Sequence, residues 1–147
     1  MILKKSKTKW IDVEGFEGVK VKIDYSQPEQ EEELRELMFQ MIYNNPNLSK
    51  PKEEWVELSP EQKAKENRIA EKLAKLRIRY QIKEWAGITD DDGNEVPIKI
   101  INNMIEKNLF DSFIGNFEYV PLISLGNLIQ NETEFNEADK KKFISVK

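Results

Sequence analysis

The chain has 147 residues, of which 39% are apolar and 34% are charged, and this balance predicts one soluble globular domain rather than a disordered chain. It contains neither cysteine nor histidine, which excludes disulfides, thiolate nucleophiles and the usual hydrolase triads, and removes the commonest transition-metal ligand. The net charge of -4 disfavours non-specific nucleic-acid binding. The chain has no secretion-like start and no apolar run of roughly 20 residues, so we expect a cytoplasmic protein with no membrane partner.

The N-terminal region has the pattern of two paired strands. Large side chains at every second position from 19 to 25 alternate with charged ones, which is the period of a strand with one buried face. The segment 8–13, around Trp10 and Ile11, can pair with it through the glycine-containing connection E-G-F-E-G. We therefore predict an antiparallel ribbon over about residues 8–25.

A first helix is predicted over about residues 28–44. Pro28 suits a first helical turn, and the glutamates that follow favour the positive end of the helix dipole. The apolar stripe consists of Leu34, Leu37, Met38, Met41 and Ile42. The next segment contains two prolines and no clean period, so we interpret it as a loop in which Trp55 and Val56 anchor on the core.

A long second helix is predicted over about residues 59–86. Ser59 and Gln62 fit a capping box, with a proline between them at the first helical position. The expected buried face is formed by Ile69, Leu73, Leu76, Tyr80 and, as a further candidate, Trp85. Lysines and arginines outnumber glutamates on this helix, which indicates either a solvated face with lysine stems over apolar surface or a docking surface for an acidic partner.

The next segment, E-W-A-G-I-T-D-D-D-G-N-E-V-P-I-K, places three consecutive aspartates beside a glycine. It fails as a calcium loop: counted from Asp90, the sixth residue is Glu95 rather than glycine, and the twelfth is Ile101. Nothing adjacent suggests a catalytic pocket. We interpret the segment as a structured turn, with Gly87 ending the long helix and Pro97 opening the next one.

Two further helices and a tail complete the prediction. Isoleucines and a leucine recur at helical spacing over about residues 97–109, and an apolar segment over about 111–129 contains Pro121, which we expect to kink or split it. Residues 131–147 read as a polar tail. The expected fold is therefore α+β: one mostly helical domain over residues 1–130 with an N-terminal antiparallel β ribbon.

These elements, and above all W-A-G-I-T-D-D-D-G-N at residues 85–94, resemble the tail assembly chaperones of tailed bacteriophages. The resemblance covers most of the chain, from W-I-D-V-E-G-F-E-G-V-K-V-K-I near the start to D-K-K-K near the end. It implies a non-enzymatic protein that holds the tape-measure protein soluble, helps to recruit the tail-tube protein, and is displaced from the finished tail. It carries over no catalytic residue, metal or cofactor, and self-association is compatible with it.

The region 109–129 has more apolar residues than one buried stripe needs, so some of them are candidates for a groove that covers an apolar helix of the tape-measure protein. The alternative is that they all lie in the chain's own core. The basic second helix would assist binding. The candidate partner-binding residues are Phe110, Phe113, Phe117, Tyr119, Lys72 and Arg79.

Three other classes of function stay open. A structural virion protein, such as a head, connector or tail component, would be found in purified particles. A host-directed phage inhibitor is compatible with the acidic composition, since negative charge can mimic nucleic acid, but the lysine-rich helix counts against it. An enzyme ranks last because the chain lacks histidine, cysteine and a phosphate-binding glycine loop.

The resemblance has one consequence for the gene. Members of the family often make a longer product by ribosomal frameshifting near the end of the shorter frame, and the codons of Lys140, Lys141 and Lys142 can form an adenine-rich slippery run. From the residues alone, the same cluster is typical of a solvated chain end. The nucleotide sequence would decide between the two interpretations.

Overall fold

A computed structural model describes residues 8–133 of the chain, which form an α+β fold of four helices and a small antiparallel sheet. The lysines at 140–142 and the predicted tail beyond residue 133 lie outside the described residues, but the first three positions of that predicted tail, 131–133, belong to the last helix and Thr133 is buried, which corrects the predicted start of the tail. The strands are β1 (Lys9–Asp12), β2 (Lys20–Ile23), β3 (Ile82–Ala86), β4 (Ile100–Ile101) and β5 (Met104–Ile105). The helices are α1 (Pro28–Asn44), α2 (Pro60–Gln81), α3 (Lys107–Ile114) and α4 (Tyr119–Thr133).

The N-terminal ribbon is confirmed, and the structure adds a third strand to it. β1 and β2 are antiparallel, with Ile11 opposite Val21, and β3 pairs with the other edge of β2. Ile11 and Val21 are buried together with Ile23, so one face of the sheet covers the core. The strand order is therefore β1-β2-β3, and the last strand comes from a distant part of the chain.

Helix α2 begins as predicted and ends five residues early. The Ser59 hydroxyl accepts from the Gln62 backbone N–H at 3.1 Å, and the Gln62 side chain accepts from the Ser59 N–H, which completes the capping box. The predicted helical end over residues 82–86 is wrong, because this segment is strand β3. In this strand the residues form backbone hydrogen bonds to β2, and Ile82 is completely buried. These interactions replace the backbone hydrogen bonds that a longer helix would make.

The helix predicted over residues 97–109 is also wrong for residues 97–106, and only 107–109 are helical, as the start of α3. The segment forms the hairpin β4–β5, in which Ile100 lies opposite Ile105. Asn102 and Asn103 make the turn with φ of 54° and 61°, and asparagine tolerates this left-handed region better than most residues. The isoleucine spacing is compatible with a helix, but β-branched residues on both sides of an Asn-Asn pair equally suit a hairpin, and the turn geometry decides.

The apolar segment predicted as one helix over 111–129 consists of the end of α3, a break at residues 115–118, and α4. Pro121 does not cause the break. It lies in the first turn of α4, where backbone N–H groups have no partner within the helix, so the missing N–H of proline costs no hydrogen bond.

The capping group of α3 is Glu106, whose carboxylate accepts from two backbone N–H groups, and these hydrogen bonds lower its pKa.

Helices α2 and α4 approach closely at Gly126. A Cβ atom on Gly126 would lie 2.7 Å from the Cβ of Ala74, so the crossing depends on two small residues. The helices cover the sheet around a core whose fully buried members include Ile23, Ile78, Ile82, Ile105 and Ile129. Within residues 8–133, no helix is long and apolar enough to cross a membrane.

Candidate partner-binding surfaces

The six predicted binding residues separate into core and surface positions. Phe110 and Phe113 belong to the buried core, so little of either side chain is exposed to a partner, and a binding role for them stays a prediction. Phe113 is only 7% exposed and stacks on Trp85 with ring centroids 5.3 Å apart. Both phenylalanines lie on the inward face of α3, and they are its two buried residues.

Phe117 and Tyr119 lie at the break between α3 and α4. Phe117 is half-buried, with its ring centroid 4.8 Å from that of Phe16 and 5.1 Å from that of Phe113. Tyr119 is exposed, and its hydroxyl donates to the Asn67 side-chain oxygen at 3.3 Å. Partial burial raises the pKa of Tyr119. A binding role for Phe117 and Tyr119 stays a prediction.

The two predicted basic residues have different environments. Lys72 is exposed on α2, so a binding role for it stays a prediction. The Arg79 guanidinium donates to the Ile105 carbonyl oxygen at 3.0 Å and lies 5.6 Å from the centre of the Phe110 ring. These contacts hold the β4–β5 hairpin and α3 against α2, so Arg79 has a structural role, and a binding role for it stays a prediction.

The acidic segment forms a hydrogen-bonded turn, as predicted. The Asp90 carboxylate accepts from the N–H groups of Asp92 and Asn94, and the Gly93 N–H donates to the Asp90 carbonyl. Thr89 and Glu95 form a bridge below the turn. Among residues 8–133, no group of three or more acidic side chains is arranged to hold a metal ion.

Gly87 is not a helix cap, which corrects the sequence-based interpretation. It follows strand β3 with φ of +81°, and a Cβ atom there would lie 2.1 Å from the Gly18 carbonyl oxygen. Glycine is needed because the two loops touch through their backbones. This contact places the acidic turn beside the loop between β1 and β2.

An open apolar groove of about 550 Å³, which we call the α3 groove, lies between the acidic turn and helix α3. Its walls are mostly aromatic and aliphatic, and the carboxylates of the turn lie at its edge. It contains Phe117 and the edge of Phe113, so part of the predicted binding segment does line a groove. The lining residues used below are Phe16, Trp85, Asp91, Leu109, Ser112 and Phe117.

The largest concentration of exposed apolar side chains lies elsewhere, in the segment 39–56. Six of the twelve large apolar residues that are exposed in the described chain fall in these eighteen positions. We call the part on helix α1 and the following turn the α1 face; it consists of Phe39, Ile42, Tyr43 and Leu48. The remaining two of the six are Trp55 and Val56. The prediction that they anchor on the core is wrong, because both are exposed and Asn47 holds their segment at the surface through hydrogen bonds to Val56.

The α1 face continues into a second apolar groove of about 210 Å³ between α1, α2 and α4. Ile42 and Leu48 line this groove and are also exposed, so groove and face form one surface. Met38 and Met41 lie on its α1 side. Flexible methionines adapt to partners of different shape, and they are typical of grooves that bind apolar helices.

Sequence reasoning missed the α1 face. Ile42 was assigned to the buried stripe, whereas Phe39 and Tyr43 lie outside that stripe on the same helix. Aromatic residues outside the apolar stripe of a helix indicate exposed apolar surface, because the buried face of the helix does not need them. This signal is present in the sequence of α1.

Comparisons of the chain with protein-family models, with curated proteins and with solved structures gave no match.

Proposed function

We propose that this protein is a non-enzymatic assembly chaperone that binds an apolar helical segment of a partner protein. By the sequence resemblance, the partner is the tape-measure protein of a tailed bacteriophage, held soluble in the cytoplasm of the infected bacterium while tail-tube subunits are recruited. A chain without histidine or cysteine supports a binding role over a catalytic one.

The observation that carries the proposal is the α1 face. Tyr43 is 88% exposed and Phe39 is 53% exposed, although neither is needed to cover the chain's own core. Contiguous exposed apolar surface is costly for a monomer and is typical of sites that bind other proteins, where buried tyrosines contribute much of the binding energy. A partner helix could place its own apolar stripe between this face and the groove beside it.

The test is co-expression with a long, helix-rich protein encoded beside this gene, where the genome contains one. The variants Tyr43→Asp and Phe39→Asp should fold normally, because both side chains point into solvent, and should lose co-purification and leave the partner insoluble. Val120→Asp is the matched control: Val120 is 70% exposed on α4, outside the α1 face. It should retain the partner.

Two results would overturn the proposal. The first is a partner that stays soluble and bound when both aspartate substitutions are combined. The second is a stoichiometric amount of this protein in purified, finished particles, which would favour a structural virion protein instead.

A further inference from the structure

The α3 groove has features that the proposed function does not use. It shares no lining residue with the α1 face or with the groove between α1, α2 and α4. Its floor is an aromatic cluster in which Phe16 and Phe113 both contact Phe117. A volume of about 550 Å³ lies within the roughly 300–1,000 Å³ range of pockets that bury most of a ligand's surface.

The charge at the edge of this groove is strongly one-sided. Asp90 and Asp91 line it, and Asp92 and Glu95 belong to the same turn. The turn uses only the Asp90 carboxylate for its own hydrogen bonds. No ion pair joins the other three carboxylates to any residue within 8–133, and no lysine or arginine lines the groove.

The acidic edge is held in place rather than mobile. The Trp85 indole N–H donates to the Val96 carbonyl at 2.7 Å, and the Val96 N–H donates to the Ile88 carbonyl. These bonds fix the base of the turn on strand β3, while the backbone contact at Gly87 fixes it to the neighbouring loop. The backbone that carries the carboxylates is therefore already ordered in the free protein, which lowers the entropic cost of binding.

From this juxtaposition of an apolar groove and an acidic edge with three carboxylates that form no ion pair within residues 8–133, we propose that the α3 groove is a second docking site, for a basic amphipathic helix of a partner protein. Leucine-like side chains of the helix would pack on Phe117, Leu109 and Trp85, and its lysines or arginines would pair with Asp91, Asp92 and Glu95. A helix suits a groove walled by side chains, since it satisfies its own backbone hydrogen bonds.

The experiment uses the full-length chain with Trp10→Phe and Trp55→Phe, which leaves Trp85 in the groove as the one tryptophan. The probe is a synthetic helical peptide of leucine and lysine, with leucines on one face. Titration should change Trp85 fluorescence and saturate at one peptide per chain. A peptide with glutamate in place of each lysine should not bind, because its charge repels the acidic edge.

Two matched pairs of variants locate the site. Asp91→Asn with Asp92→Asn should weaken binding by about fivefold or more, and less so in about 0.5 M salt, where exposed charges are screened. Glu53→Gln with Glu54→Gln removes the same charge from an exposed turn outside the groove and should leave binding unchanged. Ser112→Lys, on the exposed rim of α3, adds bulk and positive charge and should weaken binding by about tenfold.

The proposal is overturned if both charge pairs weaken binding equally, since the peptide would then respond to net charge only. It is also overturned if Trp85 fluorescence does not change, or if Ser112→Lys binds as tightly as the parent chain. None of these outcomes depends on the α1 face, so failure here and failure of the chaperone proposal are distinguishable.

Discussion

Replacing Phe113 with alanine should lower the free energy of unfolding by about 4 kcal/mol. The side chain is 7% exposed, and its ring lies 5.3 Å from Trp85 and 5.1 Å from Phe117, centroid to centroid. Buried Phe→Ala changes cost about 3–5 kcal/mol, and loss of two aromatic neighbours favours the upper half of that range. With a urea m-value of about 2 kcal/mol/M, the midpoint should fall by about 2 M.

Urea unfolding followed by circular dichroism measures this change. Phe113→Leu keeps most of the apolar volume and should lose about 1–2 kcal/mol, so a measurable transition remains even if the alanine variant does not fold. Tyr43→Ala on the α1 face is the exposed control and should stay within about 0.5 kcal/mol of the parent. If Phe113→Ala costs less than about 1 kcal/mol, Phe113 is not a core residue and the groove assignment made from the sequence regains support.

Two further predictions concern the loop contact and a buried tyrosine. Gly87→Ala should lower the free energy of unfolding by about 2 kcal/mol or more in thermal and urea unfolding. Gly15→Ala should cost less, because both positions have positive φ but, of the two, only a Cβ at Gly87 would clash with the backbone of Gly18. Equal losses would refute the contact. The Tyr80 hydroxyl donates to Glu33 at 2.6 Å, and burial together with this bond raises the pKa of Tyr80 to about 12, from 10.0. Since the folded-state pKa is the higher one, this stabilisation is complete below about pH 10 and is lost as the pH rises through about 12. Tyr80→Phe should therefore remove one tyrosinate step, at about pH 12, from an absorbance titration; an unchanged titration would contradict the assignment.

Local sequence signals were sufficient where one short-range interaction decides the structure. The capping box at Ser59 and Gln62 begins α2 because its two hydrogen bonds lie within four residues. The alternation around Val21 identified β2 because a strand with one buried face repeats every two residues. The hydrogen-bonded turn at Asp90 was identified for the same reason, since its partners are two and four residues away.

Tertiary structure decided the features that depend on distant partners. Residues 82–86 pair with an edge of β2 about sixty positions earlier in the chain, and Phe113 is buried against Trp85, which this pairing places on the sheet. No periodicity along the chain reveals which apolar face another element will cover. Composition and local pattern therefore determined most of the elements and the lack of histidine and cysteine chemistry, whereas packing alone determined that Phe113 is buried and that Tyr43 is exposed.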